Sequence, residues 1–133
     1  MESIRVGSAV VVENERGEIL LARSNKPPVE GKWVLPGGGI NFGETSRQAA
    51  QREIKEETGL EIEVGDFITA YELIVPNENI HRLILYHKAK AVGGKLKASD
   101  DISELVWMKP NDIRQLKNAT NVVFDILEKA KYV

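Results

Sequence analysis

The stretch GGINFGETSRQAAQREIKEETGL, residues 38–60, decides how the rest of this chain is read. From Thr45 to Thr58 it holds no Gly or Pro; Thr45 or Glu44 is placed to cap a helix start, and Gly59 to end that helix in a left-handed conformation. At 100° per residue, Glu56 falls about 60° to one side of Glu53 and Glu57 about 40° to the other, so all three share one face. Like charges at these spacings destabilise an isolated helix by about 0.2–0.5 kcal/mol per pair, and their convergence needs a compensating cation. Arg52 can compensate Glu56 one turn on, and Lys55 lies on the far side; one arginine does not neutralise three glutamates. Hard divalent cations such as Mg²⁺ or Mn²⁺ prefer oxygen ligands and bridge carboxylates to substrate phosphates. A carboxylate strip facing a glycine-rich loop therefore suggests metal-assisted chemistry on a phosphate ester or anhydride. Pro36-Gly37-Gly38-Gly39 lets backbone approach closely, which makes a main-chain carbonyl there a further candidate ligand. Taken alone, the three glutamates also fit a solvated acidic helix face.

Outward from this segment, residues 4–12 and 18–23 are rich in strand formers and flank turn residues, which predicts a hairpin. Residues 24–44 hold three of the five prolines and five of the eleven glycines, and read as a long loop with a short strand at 33–35. Loops of that length in compact domains are commonly functional. Residues 61–75 and 80–91 read as strands joined across 76–79, with a turn at Gly93-Gly94 and another short strand at 105–108. Pro110 suits the first position of a short helix ending near Leu116, and 120–130 carries the apolar stripe Val122, Val123, Ile126, Leu127, Ala130 of a last helix. This order predicts a mixed β-sheet with helices packed on it, an α/β (α+β) sandwich.

Gly38, five residues, Glu44, seven residues and then Arg52-Glu53-Ile54-Lys55-Glu56-Glu57-Thr58-Gly59-Leu60 resemble the Nudix box, G-x5-E-x7-R-E-U-x-E-E-x-G-U with U a bulky aliphatic residue. Every specified position is met, and Trp33-x-Leu35-Pro36-Gly37-Gly38 looks like the family's entry loop. The resemblance implies an α/β/α sandwich and a metal-dependent hydrolase of nucleoside diphosphates linked to another moiety. It implies Glu53, Glu56 and Glu57 as metal ligands joined by the Gly38 carbonyl, with Mg²⁺ or Mn²⁺ as the ion. By the same resemblance Arg52 orients these carboxylates, Glu44 ties the loop to the helix start, and Ile54 and Leu60 pack into the core.

Substrate choice lies outside the box. Pro76, 16 residues after Leu60, has a spacing that resembles ADP-ribose pyrophosphatases of the family, and 97–101 with Leu105-Val106-Trp107 looks like small microbial members of that group. This favours ADP-ribose or a related nucleotide sugar. The compact size and the NFGET sequence equally suit (d)NTP pyrophosphohydrolases that remove oxidised nucleotides such as 8-oxo-dGTP. A catalytically idle nucleotide-binding module is the reading from another class. Candidates for an external general base are Asp100, Asp101 and Glu104, with Glu72 and Glu78 behind them. Phe42, Trp33, Tyr71, Tyr86 and His81 are available for base recognition, and Arg23 and Lys26 for a terminal phosphate. Asp101 is also a candidate for contact with substrate.

Composition sets the outer limits. A chain of 133 residues is expected to form a single domain, and 42% hydrophobic with 29% charged residues is enough for a core. The longest apolar runs, at 9–12, 19–22 and 83–86, are four residues, so no bilayer-spanning helix is expected, and the N-terminus does not read as a secretory signal. Zero cysteines exclude thiolate chemistry and suit a cytoplasmic setting. A net charge of −2 argues for a small nucleotide substrate and against a long nucleic acid. Edge strands leave a homodimer open.

Overall fold

The computed structural model describes residues 3–133. The first two strands are β1 (Arg5–Glu13) and β2 (Ile19–Ser24), followed by the short β3 (Trp33–Val34) and β4 (Gly37–Gly39). Helix α1 (Ser46–Thr58) leads into the long strands β5 (Leu60–Val75) and β6 (Ile80–Gly94). Strand β7 (Ile102–Met108), helix α2 (Pro110–Ile113) and helix α3 (Asn121–Lys129) complete the chain. The central order is β3-β2-β1-β6-β5, with β4 added to β1 and β7 to β2. The sheet is mixed, because β1 runs parallel to β6 from Arg5↔Arg82 to Glu13↔Lys90.

Successive residues of a strand face opposite sides of the sheet, and both sides are covered. Val10, Val12 and Leu20 pack against Ala50 and Ile54 of α1 together with Leu60, Ile62 and Ala89. Ala9, Val11, Ile19 and Leu21 pack against Ile113 of α2 and Val123, Ile126 and Leu127 of α3. That is why residues 9–12 form an unbroken apolar run rather than an alternating one. The result is the expected α/β/α sandwich, with Ile54 and Leu60 buried in the layer beneath α1.

Four expectations change. The predicted 4–12/18–23 hairpin pairs directly only at Glu13↔Ile19; β1 and β2 then diverge, β1 taking β4 as neighbour and β2 taking β3 and β7. The long loop contains β4, paired to β1 through Ser8↔Gly38 and Ala9↔Gly37. Only glycine allows this approach, since a Cβ on Gly37 would collide with the Ser8 carbonyl and the Ala9 Cα. Finally, Gly93 and Gly94 close β6 against Glu61 and Leu60 rather than forming a free turn, and α2 ends at Ile113, short of Leu116.

Candidate active site

Helix α1 is fixed at both ends by its own sequence. Thr45 caps its start: its side chain accepts from the Gln48 amide while the Gln48 side chain accepts from the Thr45 amide. Gly59 ends it at φ 78°, its amide donating to the Lys55 carbonyl at 3.0 Å. Ser8 of β1 ties the first turn to the sheet by donating to the Ser46 carbonyl at 2.7 Å. The helix therefore presents Arg52, Glu53 and Glu57 from a fixed backbone toward β4.

Arg52 is the hub. Its Nε and Nη2 grip both oxygens of Glu44 at 2.7 and 2.9 Å, a bidentate fork. Nη2 also donates to the Gly39 carbonyl at 2.9 Å, and Nη1 to Glu53 Oε1 at 2.8 Å, while Nη1 lies 3.3 Å from Glu56 Oε2. Glu44 in turn accepts from the Asn41 amide at 2.8 Å. The Arg52 guanidinium first, and that amide second, hold the Glu44 carboxyl down at about 2. Its acidic partners drive Arg52 further above its already high range.

Glu57 occupies a different environment. It is held under the glycine strand, where the Gly37 amide donates to its Oε1 at 3.1 Å. Burial first, then the negative charge of Glu53, push its carboxyl up to about 8. Glu53 lies against Gly38 so closely that a Cβ there would overlap its carboxylate. Two half-buried carboxylates and a close-lying backbone thus share one place between α1 and β4, a set of oxygen donors suited to a hard divalent cation. Glu56, with 59% of its side chain exposed, turns out toward Arg52 instead. Among the described residues no three acidic or histidine side chains stand close enough together to hold an ion.

The residues considered outside the box separate. Arg23 has its own partners: its Nε donates to the Gly31 carbonyl at 3.0 Å and its Nη1 pairs with Glu104 at 3.2 Å. Tyr86 is buried in the layer under α3, and Trp33 and Tyr71 pack half-buried against that layer. Phe42 stands fully exposed at the tip of the loop between β4 and α1. Pro76 is not brought to the box: it opens a single 3-10 turn at the other end of β5 from Leu60. There it lines a cavity of about 450 Å³ with Ile4, Ile74, Asn79 and His81, and His81 pairs with Glu72 at 2.8 Å. Asp101 pairs with Lys26 at 2.8 Å, while Glu78 sits in the Pro76 turn. Sequence reasoning missed the Gly37 amide and the Ser99 amide, which donates to the Glu57 carbonyl at 3.0 Å. Main-chain donors leave no residue-type signal.

The NUDIX domain family model matches residues 3–129. The chain is 34% identical over 106 residues to an ADP-ribose pyrophosphatase of Methanocaldococcus jannaschii, covering 80% of this chain but 62% of that protein, under two thirds of its length. It is 34% identical over 116 residues to a CTP pyrophosphohydrolase of Escherichia coli, covering 86% of this chain and 82% of the relative. Identity to a putative 8-oxo-dGTP diphosphatase of Bacillus subtilis is 30%, over 90% of this chain and 83% of the relative. Among solved structures, a MutT NUDIX hydrolase from Burkholderia pseudomallei superposes with a TM-score of 0.86 at 28% identity, over 96% of this chain and 98% of its own. No helix among the described residues is long and apolar enough to cross a membrane. With a complete box on α1 and its loop, a matching sandwich and a family model spanning nearly all of it, this chain belongs to the Nudix hydrolase family.

Proposed function

We propose that this chain is a divalent-metal-dependent pyrophosphohydrolase acting on a nucleoside diphosphate derivative, with ADP-ribose or a related nucleotide sugar as the preferred class. The observation that carries the proposal is the placing of Glu53 and half-buried Glu57 together against Gly37-Gly38, with Arg52 fixing Glu44 and Glu53 on one side. Glu53, Glu57 and the Gly38 carbonyl would hold Mg²⁺ or Mn²⁺, with Glu56 as the exposed further donor. When bound there, the ion would supply activation of water and neutralisation of charge developing on the phosphoryl oxygens and leaving group. Arg52 keeps the Glu53 carboxylate and the Gly39 carbonyl in place and stops the acidic residues of the helix from repelling one another. Glu44 locks that guanidinium to the loop, so the glycine strand and the helix face move as one piece. The Gly37 amide orients the Glu57 carboxylate.

The spacing of Pro76 and the archaeal relative's name support the ADP-ribose class. A (d)NTP pyrophosphohydrolase is favoured by a separate observation: the relatives named for CTP and 8-oxo-dGTP are matched over 82% and 83% of their length, against 62% for the archaeal protein. Product analysis decides between them. ADP-ribose, CTP and 8-oxo-dGTP are incubated with the protein and Mg²⁺ or Mn²⁺, and products are separated by chromatography. AMP with ribose 5-phosphate supports the first class, a nucleoside monophosphate with pyrophosphate the second. No metal-dependent turnover of any of them would sink the enzymatic reading and favour a nucleotide-binding module.

A further inference from the structure

Beside the carboxylate pocket, the loop after β2 meets the segment leading into β7. The Asn25 amide donates to the Asp101 carbonyl at 2.8 Å, and its side chain donates to the Asp100 carbonyl at 3.2 Å. At the other end of the same segment, the Ser99 amide donates to the Glu57 carbonyl at 3.0 Å and the Lys97 amide to the Thr58 carbonyl at 2.8 Å. Residues 97–101 are therefore a strap between the backbone of Glu57 and the β2 loop. Where the strap reaches that loop, Lys26 Nζ lies 2.8 Å from Asp101 Oδ2, in a pair whose side chains are 65% and 48% exposed.

Lys26 has a fixed base. Its amide donates to Ser24 Oγ at 3.0 Å, and its carbonyl accepts from the Val29 amide at 3.2 Å and from Ser24 Oγ. A charged side chain on a held backbone loses less freedom when it takes a ligand. Asp101 first, with Glu57 and Glu53 adding to it, holds the Lys26 ammonium in its charged form. Arg23 differs in having its Nε tied to the main chain, donating to the Gly31 carbonyl at 3.0 Å. An exposed lysine–carboxylate pair is weak, whereas a phosphoryl group offers a lysine more charge and more acceptor oxygens than one carboxylate does.

We infer that Lys26 is a phosphate-binding residue of this site and that Asp101 is its resting counter-ion, exchanged for a phosphoryl oxygen when a nucleoside diphosphate derivative enters. The inference rests on reading Glu53 and Glu57 as the hydrolytic centre, and it adds the cation that positions the substrate's phosphate against them. It also gives Asp101 a role other than general base.

Steady-state kinetics with ADP-ribose and CTP, and calorimetric titration with ADP, both in Mg²⁺, test it on wild type, Lys26→Met, Lys26→Arg and Asp101→Asn. Lys26→Met is expected to raise KM and weaken ADP binding about tenfold, with kcat within about threefold of wild type. Lys26→Arg should retain most of the affinity, and Asp101→Asn, which frees Lys26, should lower KM about two- to fivefold. Unchanged ADP affinity in Lys26→Met overturns the inference. So does an Asp101→Asn variant whose kcat falls a hundredfold at unchanged KM, the signature of a base. Loss of ADP affinity in Lys26→Met, together with a wild type that hydrolyses neither substrate, would uphold the phosphate contact while removing the hydrolytic reading of the pocket.

Discussion

Arg52 does with one planar guanidinium what a lysine cannot. It forks onto Glu44 while its remaining donors reach the Gly39 carbonyl, Glu53 and Glu56. Arg52→Lys should keep the charge but lose that geometry, lowering kcat/KM on the order of 10- to 100-fold with the fold retained, as checked by kinetics and circular dichroism on one preparation. Glu44 carries a pH consequence. Its carboxyl is held at about 2 against an ordinary value of 4.5, so the unfolded chain takes up a proton there before the folded one does. Its contribution to stability is fully present above the ordinary value and is lost as pH falls toward 2. Glu44→Gln should flatten this acid limb in melting temperatures recorded from pH 6 to pH 3, and a limb as steep as wild type would show that the Arg52 pairing contributes nothing. The sequence exposed these residues because side-chain type at fixed spacing is what a box records. It exposed the Arg52–Glu56 pair one turn apart, which forms at 3.3 Å, but not that Glu57 is the one drawn against the Gly37 amide, because which of two adjacent carboxylates is covered depends on where β4 lies.

Helix α1 was legible to within a residue, and the reason is local: Thr45, Gln48 and Gly59 carry their instructions in their own side chains and backbone preference. Gly59→Ala tests this. The position requires φ 78°, and a Cβ there would meet the Lys95 carbonyl. The substitution should destabilise the protein by about 1–3 kcal/mol, read as a lower urea midpoint at unchanged m. Strand β4 was not legible, since Gly37, Gly38 and Gly39 have no periodicity and form a strand only because β1 is beside them. The same absence of side chains that hid the strand lets Gly38 lie against Glu53. The divergence of β1 from β2 escaped notice for a related reason: a turn between two strand-forming runs says that the chain reverses, not how far the strands stay paired.

At the scale of the whole molecule, covering both faces of the sheet outweighs any surface contact. Leu21 is fully buried among Val11, Ile126 and Leu127, and Leu21→Ala should cost about 2–5 kcal/mol in denaturant unfolding. The Arg23–Glu104 pair, which joins the same strand to β7 with both side chains over a third exposed, is worth about 0–1 kcal/mol, so Glu104→Gln should barely move the midpoint. The sandwich was readable from the order of elements and from the unbroken apolar run of β1. The parallel pairing of β1 with β6 was not, because it joins residues as distant as Arg5 and Arg82, and no short stretch of sequence records that contact. This pairing nonetheless sets where β1, and with it β4, sits relative to α1 and its Glu53. The measurement that reaches furthest into the whole arrangement is nucleotide hydrolysis as a function of Mg²⁺ concentration in wild type, Glu53→Gln and Glu57→Gln. The expected result is metal-dependent turnover in wild type and a loss on the order of 10²–10³-fold in each variant, with melting temperatures near wild type. Metal-dependent turnover left intact in both variants would contradict a catalytic centre at Glu53 and Glu57.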